Sequence, residues 1–144
     1  MLEERQSGWW LRYAGLLVAA AVIAAYANSF SGAFHMDDGL RILRNPNLRS
    51  PLGAILGTTR PLVGLTLWLN LAMGGRAADF HLFNLAVHLV ATLLLYGIIR
   101  RTCLVRGCAE SRSIGFAAIG AAVWGLHPIQ TQSVTYVIQR AESM

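Results

Sequence analysis

Residues 80–99 read FHLFNLAVHLVATLLLYGII, and this run decides the fold class. About 20 predominantly apolar residues carry an α-helix across the ~30 Å hydrocarbon core of a bilayer, and this run has that length. The rest of the chain agrees with it. Of the 144 residues, 55% are hydrophobic and only 13% charged, whereas soluble domains carry about 25% charged residues. The composition points to an all-α membrane protein, and sets aside a soluble domain with an outsized core.

Immediately after the run come Arg100, Arg101, Arg106 and Arg112, with Glu110 as the one acid among them. Basic loops are retained on the cytoplasmic side, so residues 100–113 are placed there and the start of the 80–99 span on the opposite side. The net charge is +5. Its basic residues are spread between apolar runs, which excludes a nucleic-acid-binding face. Every Lys/Arg position is Arg. Cys103 and Cys108 share the basic loop; a Cys-x4-Cys pair with no nearby His lacks a zinc ligand set, and both are read as free thiols.

Two other runs complete the spans. Residues 9–27 (WWLRYAGLLVAAAVIAAYA) form the first, with Trp9, Trp10 and Tyr13 at headgroup level and Arg12 snorkelling there. The same stretch also resembles a secretory signal ending in Ala25-Tyr26-Ala27; the uncleaved span is preferred for its length and its tryptophans. The third span runs from about 114 to 126 or 129. Its Gly115, Ala118, Gly120 and Ala122 suit close helix packing in lipid.

This topology leaves residues 28–79 as an external loop with structure of its own. A short helix is expected over 38–44, capped by Asp37 or Asp38 and stopped by Pro46. A turn follows at Asn45-Pro46-Asn47, and a second short helix at about 51–56 ends at Gly57. Arg60-Pro61 opens a third. The apolar residues 62–73 are ~18 Å long as a helix, too short to span, and end at Gly74-Gly75. Beyond the third span, His127-Pro128 breaks the helix, and residues 130–144 read as an external amphipathic helix carrying Arg140 and Glu142.

Within the 80–99 span, His81, Asn84 and His88 share one helix face. They serve either as hydrogen-bonding contacts between helices or as a proton or substrate path. Two turns separate the histidines and no third ligand is visible, so zinc is disfavoured.

The polar clusters at Asp37-Asp38, Arg60, His81 and 127–142 all fall at the external face. Two adjacent carboxylates can act as a general base on a hydroxyl or hold a divalent cation. Arginine matches phosphate through its fork. Together they suit transfer from a lipid-linked phosphosugar, with Arg60 or Arg140 stabilising the departing phosphate.

Four stretches carry a family resemblance in the same order: FHMDDGLRILRNPNLR (34–49), RPLVGLTLWLN (60–70), FHLFNLAVHLVATLLLYGIIRR (80–101) and AAVWGLHPIQTQSVTYVIQRAE (121–142). They resemble the GT-C-fold glycosyltransferases, and most of all the transmembrane and tetratricopeptide repeat-containing protein O-mannosyltransferases with their bacterial relatives. The chain departs from the pattern at Gln132, often acidic in the family, and at Gln139, often Gly. The resemblance implies a multi-span helical bundle. The implied reaction is transfer of a sugar, typically mannose, from a polyprenyl-phosphate donor to a Ser/Thr hydroxyl of a protein acceptor. It places the acidic motif on Asp37 and Asp38, with Arg60, His127, Arg140 and Glu142 as substrate-binding candidates. It leaves the question of a divalent cation at Asp37 and Asp38 open. The implied location is a bacterial inner membrane with those residues on the periplasmic side, or the endoplasmic reticulum membrane in a eukaryote. The chain would then be the N-terminal fragment of a longer enzyme, and residues 1–144 alone are expected to be inactive. The competing readings are a non-enzymatic module that anchors or assembles partners in the membrane, and a transporter fragment using His81, Asn84 and His88.

Overall fold

The computed structural model describes residues 9–28, 42 and 44–135. Among them every regular element is helical and no strand occurs. The helices are α1 (Trp9–Tyr26), α2 (Pro51–Leu56), α3 (Pro61–Ala72), α4 (Ala77–Val105), α5 (Glu110–Gly125) and α6 (Thr131–Thr135). Two 3₁₀ turns, Pro46–Arg49 and Pro128–Gln130, precede α2 and α6. The chain forms two compact units. One takes the described residues up to Ala25 and those of Leu89–Gln130; the other takes those of Tyr26–His88 and from Thr131 on.

In the first unit, helix contacts are made through small side chains. On α1, Ala14, Val18 and Val22 are buried, a row with four-residue spacing; on α5, Ser113, Ala117, Ala121 and Gly125 make the matching row. Such rows let backbones approach closely. A Cβ added at Gly125 would lie 2.9 Å from Thr92 Cγ2 and 3.1 Å from Val22 Cγ2. This α5 row only partly matches the one read from the sequence, of which Ala118 packs against Ala14 and Ile114. Gly120 does lie against Ile99, but Gly115 has nothing within 4 Å of the position of a Cβ. Ser113 is buried without cost, since its hydroxyl donates to the Ala109 carbonyl at 3.0 Å.

The large apolar side chains point outward instead. Leu16, Leu17 and Ile23 on α1, Val90, Leu94 and Ile98 on α4, and Phe116, Ile119 and Val123 on α5 are exposed. Among the described residues one helix, α4, is long and apolar enough to cross a membrane, and only 22% of its most apolar stretch is buried. Residues Tyr13–Tyr26 and Pro61–Ala72 are shorter apolar helices.

The helix bounds also correct the expected loop. Helix α4 runs 29 residues, taking in Arg100, Arg101 and Cys103, and α5 begins at Glu110. The basic segment 100–113 is thus a tight turn between two helix ends rather than a loop. Its turn residue is Gly107, at φ 80°. The Cys108 N–H donates to the Cys103 carbonyl at 3.0 Å, and the Gly107 N–H to the Leu104 carbonyl at 2.9 Å, the paired bonds of a Schellman close. Arg100 Nη2 reaches Glu110 Oε1 at 2.8 Å across the turn. Hydrophobicity marks where a helix can sit in lipid; it does not mark where helical hydrogen bonding stops. Helix α5 ends at Gly125, capped by Leu126, so the longer option of a helix to residue 129 is excluded.

In the second unit, side-chain caps shape the segment between α1 and α4. Asn45 Oδ1 accepts from the Asn47 N–H at 3.0 Å, and Ser50 Oγ caps α2 by accepting from the Gly53 N–H at 3.0 Å. Asn47 Nδ2 donates to the Gly57 carbonyl at 2.7 Å, tying the 3₁₀ turn to the end of α2. The Thr58 hydroxyl donates to the Ala54 carbonyl at 2.6 Å. Helix α3 crosses here, so a Cβ on Gly64 would collide with that carbonyl and hydroxyl. Ile42, Leu48, Ala54, Val63, Leu67 and Phe80 form the core beneath, with Trp68 and Leu71 packed against it.

Candidate functional site

The polar face of α4 is turned inward. His81, Asn84, His88 and Thr92 are all buried, while Leu82, Val90, Leu93, Leu94 and Ile98 of the same helix are exposed. A soluble helix does the reverse. In hydrocarbon the arrangement is the stable one, because polar groups facing lipid are costly.

In the second unit Asn84 and His88 meet partners far along the chain. Asn84 Nδ2 approaches the Val134 carbonyl at 3.5 Å. The Tyr26 ring stands edge-on to His88, with centroids 5.3 Å apart and planes at 82°. The Tyr26 side chain is also hydrogen-bonded to that of Thr131. On α3, buried Asn70 donates from Nδ2 to the Asp79 carbonyl at 3.3 Å. Among the described residues, neither ring nitrogen of His81 nor the Oδ1 of Asn70 has a hydrogen-bond partner. Leaving such a group unsatisfied costs about 1–3 kcal/mol, so this buried polar patch is the least self-sufficient part of the unit.

The start of α4 carries an exposed ion pair. Arg76 Nε lies 3.1 Å from Asp79 Oδ2. The hydrogen bonds that Arg76 donates to Asp79, and then the Asp79 charge, raise the Arg76 pKa above its ordinary value.

Of the residues singled out in the sequence, Asp37, Asp38, Arg140 and Glu142 lie outside the described residues. Arg60 is the residue before α3, with extended backbone (φ −130°, ψ 91°) and an exposed side chain. His127 follows α5 and is also exposed. Its Nδ1 accepts from the Ile129 N–H at 3.2 Å, and its carbonyl from the Gln130 N–H at 2.9 Å. Because Nδ1 is an acceptor, a neutral His127 carries its proton on Nε2. Arg60 belongs to the second unit and His127 to the first. Among the described residues no three His, Cys, Asp or Glu side chains converge.

Tyr26 and Asn70 were missed as members of the buried polar patch, as was the exposed Thr131 that bonds Tyr26. For Asn70 a signal existed: it is the last polar residue of an otherwise apolar run, LVGLTLWLN. Tyr26 carried no such signal, since a tyrosine near a span end reads as a headgroup anchor.

Comparison with known proteins gives this arrangement a family context. The chain is 30% identical to the protein O-mannosyl-transferase TMTC1 of Homo sapiens over 96% of its own length and 17% of the relative's. It is 32% identical to Tmtc1 of Drosophila melanogaster over 86% of the chain and 16% of the relative. To TMTC3 of Mus musculus it is 31% identical over 88% of the chain and 15% of the relative. The chain thus spans about a sixth of the length of these curated relatives. No family model matches it, and no solved structure does. Homologues covering most of the chain are TMTC-family protein O-mannosyl-transferases, as the sequence motifs implied.

Proposed function

We propose that this chain is the N-terminal membrane portion of a glycosyltransferase that passes a sugar, mannose in the first instance, from a polyprenyl-phosphate donor to a protein Ser/Thr hydroxyl at the non-cytoplasmic face. The observation that carries the proposal is the similarity to protein O-mannosyl-transferases along nearly the whole chain. The inside-out character of α4, polar within and apolar without, supports a membrane setting for it. Helices α1, α4 and α5 serve as the three spans, and the segment joining α1 to α4 lies outside.

In this reading, Asp37 or Asp38 takes the acceptor proton as the hydroxyl attacks the anomeric carbon. The bond from that carbon to the donor phosphate breaks, and the leaving phosphate is stabilised by Arg60 or Arg140 through paired N–H donors. His127 and Glu142 contact substrate from the segment after α5. The remainder of the site is supplied by the part of the longer protein that this chain does not contain.

The test uses the parent protein in proteoliposomes with polyprenyl-phosphate mannose and a Ser/Thr-rich acceptor. Asp37→Asn and Asp38→Asn are made separately. A proton acceptor contributes about 10²–10⁴-fold, so one of the two variants should lose transfer on that scale while membrane insertion and yield stay unchanged. Transfer at the parental rate by both variants refutes the assignment.

A further inference from the structure

The turn joining α4 to α5 has a surface that the proposed reaction does not use. We propose that this turn is a binding site for anionic phospholipid headgroups, with Arg101, Arg106 and Arg112 holding lipid phosphates and Leu104 and Val105 packed against the headgroup layer. The proposal rests on the reading of α4 and α5 as spans, and adds a specific ligand to their cytoplasmic end.

Charge is the first observation. Arg100 is engaged with Glu110 at 2.8 Å, which uses the one acid of the segment. Arg101, Arg106 and Arg112 are all exposed, and none has an acidic partner among the described residues. Three guanidiniums around one tight turn form a cation cluster, and Arg pairs with phosphate oxygens through two parallel bonds.

Position is the second. Helix α4 continues six residues past the apolar run 80–99, to Val105. At ~1.5 Å per residue that is ~9 Å, which carries the turn through the ~5–7 Å headgroup layer that flanks a ~30 Å core on each side. A helix end projecting into water would carry polar side chains there. This one carries Leu104 and Val105 at 38% and 81% exposure. Val105 lies one turn after Arg101 and on its face. Apolar side chains flanked by arginines suit the headgroup layer better than bulk water. This apolar neighbour distinguishes a lipid headgroup from free phosphate. The anionic lipids of the cytoplasmic leaflet supply the charge, and each Arg near such a surface adds to binding within a Debye length.

The experiment takes the full chain 1–144 in phosphatidylcholine nanodiscs with or without one-fifth phosphatidylglycerol. Lipids retained after extraction into mild detergent are counted by native mass spectrometry. The comparison variant is Arg101→Gln/Arg106→Gln/Arg112→Gln, and Arg44→Gln/Arg49→Gln serves as control. Phosphatidylglycerol should be retained over phosphatidylcholine by about 10–100-fold, with the preference abolished in the triple variant, kept in the control, and weakened by 0.5 M salt on the unchanged chain. Equal retention of both lipids, or a triple variant that keeps the preference, overturns the proposal. So does displacement of the lipid by millimolar inorganic phosphate, which would identify a free-anion site. Maleimide labelling of Cys103 and Cys108 in sealed vesicles separates the two levels of failure. A chain that fails to insert refutes the span reading as well; an inserted chain without lipid preference refutes this proposal alone.

Discussion

Tyr26 meets His88 edge to face, its ring centroid 5.3 Å from the imidazole. The last residue of α1 is thereby held against the middle of α4, and a hydrogen bond to Thr131 ties it to the start of α6. Tyr26 is 6% exposed. With the first span uncleaved Tyr26 keeps both contacts, whereas cleavage after Ala25-Tyr26-Ala27 would remove it from the chain. Edge-to-face pairs contribute about 0.5–1.5 kcal/mol beyond the area they bury, and truncating a buried aromatic costs about 3–5 kcal/mol. Tyr26→Ala should therefore lower the thermal midpoint in detergent sharply, and Tyr26→Phe by much less. N-terminal sequencing of the membrane-extracted protein should begin before Trp9.

Gly125 and Gly115 lie ten residues apart on α5 and should answer oppositely to the same change. A Cβ at Gly125 falls within 3.1 Å of both Thr92 and Val22, while one at Gly115 meets nothing within 4 Å. Overpacking costs about 1–3 kcal/mol, so Gly125→Leu should destabilise the first unit by at least that amount. Gly115→Leu should be neutral or slightly stabilising. Thermal unfolding of the two variants side by side checks the pair.

Asn47 and Ser50 organise the segment ahead of α3. Losing the Asn47 bond to Gly57 should cost about 1 kcal/mol, and losing the Ser50 cap about 0.5–2 kcal/mol. The two sites are linked through α2, so Asn47→Ala/Ser50→Ala should not be additive. Limited proteolysis should show cleavage between residues 44 and 60 rising in each variant, with helix content of the spans unchanged by circular dichroism.

His127 caps the turn before α6 through Nδ1. Asn offers an equivalent short acceptor, as in Asx turns. His127→Asn should keep the stability of the chain, whereas His127→Leu should lose about 1 kcal/mol. In the parent protein, a contact of the imidazole with substrate would show as a raised KM or lowered kcat in His127→Asn despite its intact fold. Equal activity of His127→Asn and the unchanged protein would leave His127 a capping residue only.

Much of the local structure was legible because it depends on neighbours in sequence. Pro51, Gly57, Pro61 and Gly74 act through their own backbones, so α2 and α3 begin and end where the sequence places them. The long helix was legible at its core and not at its end. Arg100, Arg101 and Leu104 are good helix formers outside the apolar run, and the helix they prolong stops at the Gly107 turn. On the candidate site, His81, Asn84 and His88 could be put on one face by spacing alone. What each of them meets could not.

Composition and periodicity by themselves determined that this is a helical chain with an apolar stretch of membrane-spanning length, since burial in lipid depends on how many apolar residues run together. The resemblance to O-mannosyl-transferases lies instead in short motifs, which neither composition nor periodicity shows. Only the tertiary structure decided which row of α5 packs, through Ser113, Ala117, Ala121 and Gly125, and that Tyr26 joins the polar side of α4 at His88. Several small residues on a helix allow more than one close-packed face. The choice among them is made by the shapes opposite, here Thr92 and Val22, which no local pattern in α5 encodes.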